Sequence, residues 1–111
     1  MNRYERNIKQ IEDAGKCPRT FYLKKMAEEC IELSAECNNQ MDHVRRGTKD
    51  LENFYSEIAD VLNCINYLMI LFDLDEKKIA RIMVEKCDRG YERGLPKAYI
   101  EKGSGLDEQI L

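Results

Sequence analysis

The sequence predicts an all-α fold, an antiparallel helical bundle of four main helices. Two observations predict it. Apolar residues recur at spacings of three and four rather than two, and no stretch longer than four residues carries a strand pattern. The length of 111 residues suits one domain, and a hydrophobic share of 43% suffices for a modest core. That domain is expected over residues 1–96. A tail, 97–111, containing Gly103-Ser104-Gly105, is expected to be poorly ordered or to pack on a partner subunit.

In the first helix, residues 2–14, Tyr4, Ile8 and Ile11 form a narrow apolar stripe that ends at Gly15. Cys17-Pro18-Arg19-Thr20 reads as a turn, with Thr20 as N-cap of a second helix from about Phe21 to about Met41. At 100° per residue, Leu23, Met26, Cys30, Leu33, Cys37 and Met41 fall on one face of it, and Glu28, Glu29, Glu32 and Glu36 on the opposite one. Cys30 and Cys37 are therefore expected as small core residues. Asn38 to Asp50, with His43 and Arg45-Arg46-Gly47, reads as a connection of about eight to ten residues. A third helix is expected over about Asp50 to Phe72, with Leu51, Phe54, Ile58, Val61, Leu62, Ile65, Met69 and Phe72 facing inward. Asp75 is an N-cap for a fourth helix, which runs to about Arg93 and stops at Gly94 before Pro96.

Composition excludes several function classes. Charged residues make up 35% of the chain, but the signs are mixed and the net charge is −3, which leaves no basic field for nucleic acid. The longest apolar run, Ile58 to Phe72, is too short for a membrane span and is interrupted by Asp60, Asn63 and Asn66. Five cysteines, without a secretory leader before them, predict free thiols in a reducing cytosol. One histidine and no Cys-x-x-Cys argue against zinc.

The informative residues are acids. Glu57 and Asp60 open the apolar run, where an ionised carboxylate costs several kcal/mol unless it is solvated, paired or bound to a cation. Glu29 and Glu32 repeat the same i, i+3 spacing one helix earlier. Either pair alone suits a solvated face or a Lys or Arg partner, but two pairs on successive helices can meet across a gap. Carboxylates without His or Cys favour a hard ion, Mg2+ or Mn2+. Lys86, Arg89 and Arg93 share one face of the fourth helix; they suit the helix dipole or, beside such an ion, phosphate oxygens. Asn63 extends the polar line beyond Asp60 and can reach a ligand.

Lys25-Met26-Ala27-Glu28-Glu29-Cys30-Ile31-Glu32-Leu33, followed by Glu57-Ile58-Ala59-Asp60-Val61-Leu62-Asn63, resembles the Glu-x-x-Glu and Glu-x-x-Asp motifs of the MazG-like all-alpha nucleoside triphosphate pyrophosphatases. The basic stretch Lys86 to Arg93 resembles that family's C-terminal basic helix. The resemblance covers about residues 20–93. It implies Mg2+-dependent hydrolysis of nucleoside triphosphates to monophosphate and pyrophosphate, serving nucleotide-pool housekeeping. It further implies metal binding by Glu29, Glu32, Glu57 and Asp60, and a general base in Glu29 or Glu32. Lys86, Arg89 and Arg93 would steady the phosphates, and the assembly would be a homodimer or homotetramer. The alternative is a non-enzymatic helical interaction module or a nucleotide-binding one.

Overall fold

The computed structural model describes residues 1–94. They are helical as predicted: α1 (Arg3–Asp13), α2 (Pro18–Arg46), α3 (Glu52–Leu71) and α4 (Glu76–Glu92), with no strand among the described residues. The chain divides into two compact units, one holding α1 to α3 and ending at Leu74, the other beginning at Asp75 and holding α4. The expectation for the tail, 97–111, falls outside the described residues.

Local chemistry sets the helix ends. Asn2 and Glu5 close a capping box on α1, with Glu5 N donating to Asn2 Oδ1 at 2.8 Å and Asn2 N to Glu5 Oε2 at 3.1 Å. The second helix is longer than its sequence pattern suggested. It begins at Pro18, whose missing N–H costs nothing in the first turn, so Thr20 lies inside the helix and does not cap it. It continues through His43 and Arg46 because the residues from Asn38 onward include no breaker before Gly47. There the backbone turns left-handed (φ 70°), with Gly47 N donating to Val44 O and Thr48 N to His43 O. The connection to α3 shrinks accordingly to residues 47–51. Asp75 caps α4 as expected, accepting from the backbone N–H groups of Lys77 and Lys78.

Polar and aromatic contacts fix the pairing of α2 with α3. Gln40 Nε2 donates to Asp50 O at 2.7 Å, Asn53 Nδ2 to Glu36 Oε2 at 2.6 Å, and Arg19 Nε to Leu71 O at 3.3 Å, so the helices run antiparallel. Tyr22 and Tyr67 pack with ring centroids 4.5 Å apart. Tyr22, Cys64 and Tyr67 form the buried core, with Ile11, Ala14, Met26, Leu68 and Leu71 against it. The first helix docks on α3 through Asn7 to Asn66 and Tyr67 to Gln10 hydrogen bonds.

This packing corrects the predicted faces. Glu29 and Glu36, expected opposite the apolar stripe, are buried toward α3, while Leu23, Cys30, Cys37 and Met41 are exposed. On α3, Ile58, Leu62, Ile65 and Phe72 are exposed too, and Cys64 and Tyr67 point inward instead. The inward face of α2 is Tyr22, Met26, Glu29, Leu33, Glu36 and Gln40, a three-and-four spacing that holds two acids.

Glu36 shows how such an acid is accommodated. Its carboxylate accepts from Gln40 Nε2 at 2.9 Å and from Asn53, and these bonds hold its pKa below the ordinary 4.5. A depressed carboxylate contributes stability that is present above 4.5 and lost as pH falls through the lowered value. Glu36→Ala is expected to lower the melting temperature at neutral pH by roughly 5–15 °C and to remove part of the acid sensitivity. Thermal melts at neutral and acid pH test this; equal melting of variant and parent would refute it.

Candidate metal centre

The i, i+3 spacing puts Glu29 and Glu32 on one face of α2, and Glu57 and Asp60 on one face of α3. Antiparallel pairing brings the two faces together. One carboxylate oxygen from each of the four residues lies within 4.8 Å of all the others. Ligand oxygens around an octahedral Mg2+ stand about 4.2 Å apart in trans and about 3 Å apart in cis positions, so ligation by all four would draw the side chains inward.

The charge of this cluster is only partly compensated. Glu29 is 7% exposed, and its Oε2 and that of Glu57 are buried without a hydrogen-bond partner. Lys25 Nζ, 3.3 Å from Glu29 Oε1, is the only cation in ion-pair distance of the four acids among the described residues. The hydrogen bond to Glu29 raises the Lys25 pKa and keeps it charged. Glu32 is pushed above the ordinary 4.5, first by its contact with the Glu29 carboxyl and then by the Glu29 charge, with smaller contributions from desolvation, Glu57 and Asp60. For a raised carboxyl the sign is opposite to that of Glu36: Glu32 costs stability as pH rises from 4.5 through the raised value. Two orphaned oxygens on four converging carboxylates are groups that a bound cation would satisfy. The donor set therefore fits a hard divalent ion, and the neighbouring Cys64 thiol, raised by burial, stays protonated and supplies no thiolate.

The other predicted residues are distributed differently. Asn63 is half-buried, one turn beyond Asp60 on α3. Lys86, Arg89 and Arg93 line a cavity of 260 Å3 with Gly90 in the second unit, so the three cations do converge with one another. Sequence reasoning passed over Lys25 as a partner for Glu29, although their i, i+4 spacing was the available signal. No helix among the described residues is long and apolar enough to cross a membrane. Comparison of the chain with models of protein families, with curated proteins and with solved structures finds no match in any of the three.

Proposed function

We propose that this protein is a Mg2+-dependent nucleoside triphosphate pyrophosphohydrolase of the MazG-like all-alpha type, acting in the cytosol on the nucleotide pool. The observation that carries the proposal is the convergence of Glu29, Glu32, Glu57 and Asp60 with two buried, unpartnered carboxylate oxygens. Those four residues would hold Mg2+ or Mn2+, which supplies charge neutralisation of the triphosphate and a more acidic water. In the reaction a water oxygen bonds to phosphorus, the bond to the bridging α–β oxygen breaks, and pyrophosphate leaves with that oxygen. Glu32 suits the proton-accepting role between the two candidates. It is exposed and open to solvent, whereas Glu29 is buried and held by Lys25. Asn63, and Lys86, Arg89 and Arg93, are the proposed contacts to the substrate.

The proposal includes self-association. Leu62 is 54% and Ile31 70% exposed, with Leu23, Ile58, Ile65 and Phe72 also exposed, apolar side chains that a second copy would cover. Light scattering is expected to give two or four times the 13.0 kDa of one chain, and a monomer mass at working concentration would remove this part. The function itself is tested by a pyrophosphate-release screen over ribo- and deoxynucleoside triphosphates with and without Mg2+. Metal-dependent release from at least one nucleotide is expected; none from any would overturn the hydrolase.

A further inference from the structure

Lys25 belongs to two neighbourhoods at once. Its ammonium is 3.3 Å from Glu29 Oε1, and its side chain also lines a cavity of 360 Å3 with Gln10, Asp13, Phe21, Tyr22 and Tyr67. The two partners are unequally fixed. The Glu29 side chain is 9% exposed, with Oε2 buried and unpartnered, whereas the Lys25 side chain is 43% exposed and has room to swing. A divalent ion taken up by Glu29 and its three neighbours would share that carboxylate with an ammonium of like charge, and the two cations repel. Asp13 on the cavity wall is exposed and already has Lys9 at 3.5 Å, so a lysine turning there finds one acid that another cation shares. Lys25 released from Glu29 would therefore add positive charge to the cavity wall, next to the carboxylate cluster.

We propose that Lys25 is a built-in competitor of the divalent ion. It holds Glu29 before the ion binds, turns toward the cavity when the ion arrives, and there attracts a phosphate group of the incoming ligand. Ion and polyphosphate binding thereby become cooperative through one side chain. This rests on the hydrolase reading for the identity of the ion and the anion, and it makes Lys25 a positioning residue for Glu29.

The test is a Mn2+ titration of the whole protein, with free Mn2+ followed by electron paramagnetic resonance, on the parent, Lys25→Met and Lys25→Arg. With Mn2+ alone, Lys25→Met is expected to bind about 1.5- to fivefold more tightly than the parent, the range expected for loss of one partly exposed ion pair. Lys25→Arg, which keeps the charge, is expected to stay near the parent. A non-hydrolysable triphosphate analogue should tighten Mn2+ binding in the parent more than in Lys25→Met. A merely structural lysine would leave the affinity unchanged or weakened on removal, and either result with folded Lys25→Met overturns the inference. The two readings fail separately: tighter Mn2+ binding by Lys25→Met without pyrophosphate release from any nucleotide would sink the hydrolase and leave the competitor role standing. A parent that binds no Mn2+ removes both.

Discussion

Glu57→Gln and Asp60→Asn are each expected to lower Mg2+-dependent pyrophosphate release by more than about 100-fold, because each removes an ionised oxygen from the proposed metal centre while keeping the side-chain shape. The amide replacements stay within good steric limits for a helix, so far-UV circular dichroism should be unchanged. Without metal the variants should melt no lower than the parent, since one of four crowded negative charges is gone. Turnover at the parental rate by either variant would disprove the site. An apo melting temperature well below the parent's would instead show that the acids are not crowded in solution.

Tyr22→Ala is expected to destabilise the fold by about 3–5 kcal/mol, the range for emptying a large aromatic side chain from a core. Among the described residues Tyr22 is one of three buried apolar ones and the only one contributed by α2; its ring touches Tyr67 and stands edge-on to Phe21 at 5.0 Å. A loss of this size would consume much of the stability of a small protein and lower its melting temperature by more than about 10 °C. Tyr22→Phe keeps the ring and should cost far less. A small effect of the alanine variant in chemical denaturation would mean that the pairing of α2 and α3 is held elsewhere.

The helices and the paired acids were legible in the sequence because both depend on short-range spacing. Gly15, Asp75 and Gly94 mark ends through local chemistry, and Glu29 with Glu32, or Glu57 with Asp60, share a helix face whatever the tertiary packing. Which face turns inward was not legible. A periodicity argument assigns the interior to the most apolar stripe, and here that stripe, Ile58, Leu62 and Ile65 on α3, is exposed. The packed face instead mixes Tyr22, Cys64 and Tyr67 with acids and amides whose hydrogen-bond partners are far along the chain, such as Asn53 for Glu36 and Asn66 for Asn7. The overlong α2 has a similar origin, since polarity alone marks a loop no better than it marks a solvated helical turn.

The brevity of the link over residues 47–51 also governs how this chain can drift. An extra residue taken up into the first turn of α3 rather than into the link would turn Glu57 and Asp60 by about 100° relative to this corner. Glu57 and Asp60 would then part from their counterparts even though every side chain survived. Insertions at this corner are thus a route by which descendants could keep the helices and lose the convergence of the four acids.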